Sequence, residues 1–297
     1  MVWKREQRPD RYKKAQVVLA AVLLVILVLV GLVAWFNFGS SQENIPDQAQ
    51  STLMQPEQDT PSTDQANEFD SIKLQKVVDD WINSSDGTAS VVITSDNGKV
   101  LVSNDPDRVF FAASIYKLFV AYEGYKQIDE GRADPAETYL NGKTRLECLD
   151  LMIRESNSPC AEKLWNELGK ADLNETLKSY GINNTSMTNI STTASDSARI
   201  LVMVESGEGL SEESRAKYLD SMKTQDDLYR RGLPSGFSEN VIVYNKVGWN
   251  EQKEWHDTAI VELSDGQKLV VVVFTENVGS KNISIIGTAL ESSLSTN

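Results

Sequence analysis

The chain has 297 residues and a formal net charge of −14; its first 38 residues hold six basic and two acidic side chains, and the rest hold 23 basic against 41 acidic. A portion that acidic has no electrostatic reason to bind nucleic acid, and one histidine with two cysteines supports no metal cluster. The length excludes a single small domain and suits one globular unit of roughly 220 residues with additional segments.

Residues 1–16 form a basic tail carrying Lys4, Arg5, Arg8, Arg11, Lys13 and Lys14. The apolar run Val17–Phe36 follows; at about 1.5 Å per residue it spans roughly 30 Å, the thickness of a bilayer core. A signal peptide is the rival, but its apolar region runs about 7–15 residues and ends at a small-x-small site. Here Trp35 and Phe36 end the run, as an interfacial anchor would. Residues 17–38 are therefore read as an uncleaved transmembrane helix. No Lys or Arg follows until Lys73, which predicts a single-pass cell-membrane protein with its amino terminus cytoplasmic and the remainder outside. Residues 39–67, rich in Ser, Gln, Asp, Glu, Thr and Pro, read as a disordered linker.

The globular part is expected over 68–297. Ile72, Leu74, Val77, Val78, Trp81 and Ile82 fall mostly on one helical face. Ser90–Thr94 and Lys99–Ser103 read as strands joined by the turn Asp96-Asn97-Gly98. From about 107 to 236 the pattern is helical, with loops at Gly131–Asp134, Ser156–Pro159, Gly181–Ser191 and Gly232–Gly236. Strand character returns at Val241–Val247, Thr258–Leu263 and Leu269–Phe274, and Ile283, Ile286, Leu290 and Leu294 stripe a final helix. The expected fold class is α/β (α+β): an antiparallel five-stranded sheet flanked by helices, plus an all-helical lobe. A cleft between two lobes is a usual place for a ligand.

Within the helical segment, Ser114 and Lys117 stand three residues apart in Phe111–Tyr122, which reads as the opening turns of a buried helix. That spacing puts both side chains on one face. A serine hydroxyl is a weak nucleophile at neutral pH, and a lysine amine whose pKa is lowered by burial can serve as its base. By itself Ser-x-x-Lys occurs by chance in many helices. Ser156 reads equally as a cap for the helix starting near Pro159, and Lys246 as a surface strand lysine. Cys148 and Cys160 are twelve positions apart across a turn; an extracytoplasmic site permits a disulfide between them without requiring it. Asp196 reads as a helix-start residue, and His256 as a packing or hydrogen-bonding residue at the start of a strand.

Three elements in order carry a resemblance: Ser114-Ile115-Tyr116-Lys117, Ser156-Asn157-Ser158, and Lys246-Val247-Gly248-Trp249. They resemble the Ser-x-x-Lys, Ser-Asp-Asn and Lys-Thr-Gly motifs of class A β-lactamases and penicillin-binding proteins. Thr192-Thr193-Ala194-Ser195-Asp196 is similar to the stretch after that superfamily's active-site loop, and the likeness runs from about Ile72 onward. The resemblance implies Ser114 as nucleophile, Lys117 as its base, Ser156 as proton relay to the leaving nitrogen, and Lys246 as positive charge at the substrate. It implies substrate contacts at Ser158, Val247, Gly248 and Trp249, and an oxyanion hole from the backbone N–H groups of Ser114 and Trp249. No cofactor is called for.

The chain departs from that pattern in three places. Val247 stands where Thr is usual and lacks the hydroxyl, a loss worth about 0.5–1.5 kcal/mol for an ordinary hydrogen bond. Ser158 is shorter than the usual Asn. No Glu occurs from Thr176 to Val204, where class A enzymes carry the Glu that activates the deacylating water. Expected is a membrane-anchored extracytoplasmic serine hydrolase acting on β-lactams or peptidoglycan-type D-alanyl peptides, with weak deacylation. The alternatives are a D,D-peptidase or esterase on cell-envelope material, and a non-catalytic penicillin-binding sensor domain.

Overall fold

The computed structural model describes residues 69–251 and 253–294. The basic tail, the expected membrane span over 17–38 and the linker over 39–67 lie outside these residues. Among the described residues, no helix is long and apolar enough to cross a membrane.

Helix α1 (Ser71–Asn83) starts where the Asp70 carboxylate accepts the N–H groups of Ile72 and Lys73, which have no partner inside the helix. Strands β1 (Thr88–Ser95) and β2 (Val100–Asn104) form a hairpin, turned at Gly98 with φ 85°, a backbone state glycine adopts without strain. Strands β7 (Ile242–Trp249), β8 (Trp255–Glu262) and β9 (Lys268–Glu276) complete one antiparallel sheet in the order β2-β1-β9-β8-β7. Helix α8 (Ser280–Leu294) closes the described chain.

Side chains alternate across the sheet, and both faces are covered. Val92, Ile260, Val270, Val272 and Phe274 enter the core of the helical segment. Val91, Ile93, Val261, Val271 and Val273 enter a second core with α1 and α8. Strands buried on both faces read as unbroken apolar runs, as Leu269–Phe274 does. The helical segment therefore shares its core with one sheet face instead of standing apart.

That segment differs from expectation at its start. Phe110–Phe111 form a short strand β3, Ala113–Ile115 a 3-10 turn, and helix α2 begins only at Tyr116 and runs to Asp129. Ala113 has φ 45°, which an α-helix cannot contain. A hairpin of β4 (Thr138–Leu140) and β5 (Lys143–Thr144) was not expected; its Asn141-Gly142 corner has both φ values positive, the usual signal for such a turn. Helices α3 (Arg145–Arg154), α4 (Ser158–Leu168) and α5 (Lys170–Ser179) follow. Then come strand β6 (Ser191–Thr192) and helices α6 (Ala194–Ser206) and α7 (Glu212–Lys223).

Candidate active site

The turn that carries Ser114 is tied down on two sides. Strand β3 pairs with β6, and the Ala112 N–H donates to Ile190 O at 2.8 Å. On the other side, His256 on β8 reaches Phe111 O at 2.9 Å through Nε2, while its Nδ1 accepts the Thr275 N–H at 3.1 Å. Nδ1 is therefore the unprotonated nitrogen, and Nε2 is the donor. Burial pushes His256 down to about 4 from its usual 6.5, so it is a neutral strut beneath the turn, not a base.

Lys117 lies one α2 residue beyond the turn and is almost wholly buried. Its Nζ is 3.2 Å from Ser114 Oγ, 3.2 Å from Ser156 Oγ and 3.1 Å from Ser158 Oγ, and it also donates to Ser156 O. Three hydroxyls thus surround one amine. Burial lowers Lys117 to about 8, against an opposing pull from the Glu162 carboxylate. An amine in that range is partly neutral near neutral pH and can accept a hydroxyl proton.

Ser156 sits between α3 and α4 with φ 52°, a strained state for a residue other than glycine. The cap of α4 is Asn157, whose Oδ1 accepts the Cys160 N–H at 3.0 Å; Ser156 does not cap it. A disulfide joins Cys148 on α3 to Cys160 on α4, so the loop bearing Ser156 is bracketed by a covalent bond between the helices it connects.

Strand β7 supplies the opposite wall. Tyr244 packs toward the helical core and Val243 toward the other, so alternation turns Lys246 to the helical side. Lys246 Nζ lies 3.1 Å from Ser156 Oγ and donates to Val247 O at 2.7 Å. Complete burial, then the Lys117 charge, hold Lys246 well below the usual lysine range, and Asp257 opposes them. A Cβ on Gly248 would come within 2.7 Å of both Ala112 O and Ile115 Cγ1. Only glycine lets β7 approach the Ser114 turn this closely. Trp249 ends the strand half-exposed, stacked on Trp255 at 5.7 Å.

Val247 falls on the other face of β7 and is buried, because successive strand residues point to opposite sides. Ser158 contacts Lys117 itself, a role that the resemblance did not imply.

The loop 181–191 is occupied with its own bonds. Asp196, in the first turn of α6, accepts the Asn183 and Asn184 N–H groups at 3.3 and 2.7 Å and the Thr185 hydroxyl at 2.7 Å. Thr185 and Thr192 hydroxyls meet at 2.8 Å. Glu175, the nearest upstream carboxylate, is on α5 and pairs with Lys178 at 2.8 Å. Among the described residues, no carboxylate is hydrogen-bonded to Ser114, Lys117, Ser156 or Lys246.

The arrangement brings a hydroxyl, a depressed amine, a second hydroxyl and a second amine into one continuous contact chain. That is the equipment of acyl transfer through a serine ester. The model of the beta-lactamase enzyme family matches residues 73–290. The chain belongs to this family. Among solved structures it is similar to PBP-A, at 24% identity and TM-score 0.67 over 75% of this chain and 96% of that one. It is also similar to a PBP-A mutant in an acyl-enzyme complex with penicillin G, at 23% identity and TM-score 0.67 over 76% and 97%. A class A beta-lactamase from Bacteroides cellulosilyticus gives 16% identity and TM-score 0.69 over 78% and 100%. These likenesses show the fold. No curated protein sequence matches the chain.

For this family member, sequence reasoning missed two contributors and the partner of a third. The closeness that demands glycine at 248 leaves no trace in a single sequence. His256 is the hydrogen-bonding residue it was read to be, but its partner lies 145 positions away. Glu162, whose charge acts on Lys117, is the one that spacing could have found: it lies one helical turn past Ser158.

Proposed function

We propose that the chain is a membrane-anchored, extracytoplasmic serine hydrolase, acylated at Ser114 by β-lactams or the D-alanyl peptides they imitate, and slow to release the acyl group. Neutral Lys117 takes the Ser114 proton as Oγ attacks the carbonyl carbon. The backbone N–H groups of Ser114 and Trp249 receive the developing oxyanion. Ser156, in contact with both amines, passes a proton to the leaving nitrogen. The observation that carries this reading is the continuous contact from Ser114 through Lys117 and Ser156 to Lys246, each step 3.1–3.2 Å. The penicillin G acyl-enzyme of a similar protein supports the β-lactam. The charge asymmetry about residues 17–38 supports the location.

Slow release is inferred from the closed loop 181–191 and its missing Glu. A second reading is an esterase or D,D-peptidase on envelope material, worked by the same four side chains. Incubating the protein with a fluorescent penicillin, beside Ser114→Ala, tests the proposal. A lasting adduct on Ser114 is expected. Rapid product without adduct indicates an efficient lactamase. Neither adduct nor product sinks the β-lactam reading, and D-alanyl peptides and esters then separate an envelope hydrolase from a sensor domain without turnover.

A further inference from the structure

Hydrolysis of a serine ester needs a base for water, and the loop that should carry one holds no carboxylate. Helix α4 offers another. At 3.6 residues per turn, Ser158, Glu162 and Trp165 fall within about 60° of arc on one flank of α4. The two outer members of that trio touch the site: Ser158 Oγ is 3.1 Å from Lys117 Nζ, and the Trp165 ring stacks on Tyr116 at 5.1 Å. Glu162 lies between them, and its charge is felt by both Tyr116 and Lys117. Its neighbours are committed elsewhere: Glu167 to Arg145 and Tyr139, Glu155 and Asp150 to Arg154. Glu162 is exposed and has no ion pair or hydrogen bond among the described residues.

We propose that Glu162 is the general base for deacylation, supplied from α4 in place of the loop. This rests on Ser114 being the acylated residue. Glu162 takes a proton from water as the water oxygen bonds to the acyl carbon. The carbon–Oγ bond then breaks; Ser114 Oγ takes a proton from Lys117, and Glu162 returns its proton to Lys117 through solvent water, regenerating the hydroxyl and freeing the carboxylic acid. Turnover is slow because the base stands on a helix flank open to solvent, where water is not held in one orientation.

The test separates the two half-reactions by stopped-flow labelling and intact-protein mass spectrometry with penicillin. In Glu162→Gln, the adduct on Ser114 is expected to live about 100-fold longer, the lower range for loss of a general base. Acylation should not fall, because removing a nearby negative charge lowers Lys117 further and leaves more of it neutral. Formate added to Glu162→Ala should shorten the adduct lifetime again, which a purely structural role would not allow. An unchanged lifetime overturns the proposal. So does acylation falling in step with deacylation, which would make Glu162 a positioning residue for Lys117. If wild type forms no adduct at all, it is the acylation reading that fails.

Discussion

The two sides of the Ser114 turn are furnished differently. Toward α2, the Ser156 loop and β7, every polar group faces its neighbour: Ser114, Lys117, Ser156, Ser158 and Lys246 form one set of contacts. Toward the loop 181–191, the polar groups face one another instead, with Asp196 gathering three donors from residues 183–185. In the proposed function the first side forms the ester, while the second holds a loop shut. On that proposal the fold keeps the first half of a two-step reaction without the usual source of the second, because acylation and deacylation draw on different elements.

Removing the nucleophile breaks that contrast most severely. Ser114→Ala should lower labelling by penicillin at least about 10³-fold, read by gel fluorescence. Lys117→Ala comes next, at about 10²–10⁴-fold for loss of a general base. It should also change the pH profile. Wild-type acylation should rise as pH passes through about 8, since only the neutral amine accepts a proton, and the variant should lose that rise. A wild-type rate that falls with pH over the same range would assign the base elsewhere.

Asp196→Ala probes the other side. It removes the buried carboxylate that accepts the Asn183 and Asn184 N–H groups and the Thr185 hydroxyl, at a cost of about 1–3 kcal/mol measurable by urea unfolding. Acylation of Ser114 should stay within about threefold. A large loss of acylation with little loss of stability would mean that the loop serves the first step too. Val247→Thr should do least. The added hydroxyl lies on the face of β7 away from Lys246, so labelling should change by less than about threefold. A tenfold gain would show that this side chain does reach substrate.

The sheet was legible because its strands alternate between two cores. The pattern Val270-Val271-Val272-Val273 allows little else, and Asn97-Gly98 marks the hairpin. The three motifs were legible because chemistry restricts their residue types. What stayed hidden depends on contacts remote in sequence. The 3-10 turn at Ser114 follows from pairing of β3 with β6, where Phe110 meets Thr192 and Phe111 meets Ser191, which outweighs the helical preference of Ala112 and Ala113. The inward turn of Val247 follows from which face of β7 meets the helices, and a single strand cannot declare that. Ser158 was read as a substrate contact from its place in the second motif, with its short side chain as a departure; that short side chain also reaches Lys117.

The most direct measurement is the mass of the intact protein, with peptide mapping, followed over time after a brief exposure to penicillin. Addition of one whole penicillin on the peptide containing Ser114, outlasting removal of the free drug, is the predicted result. Unmodified protein in a solution whose penicillin has been destroyed, or an adduct on any other residue, would contradict it.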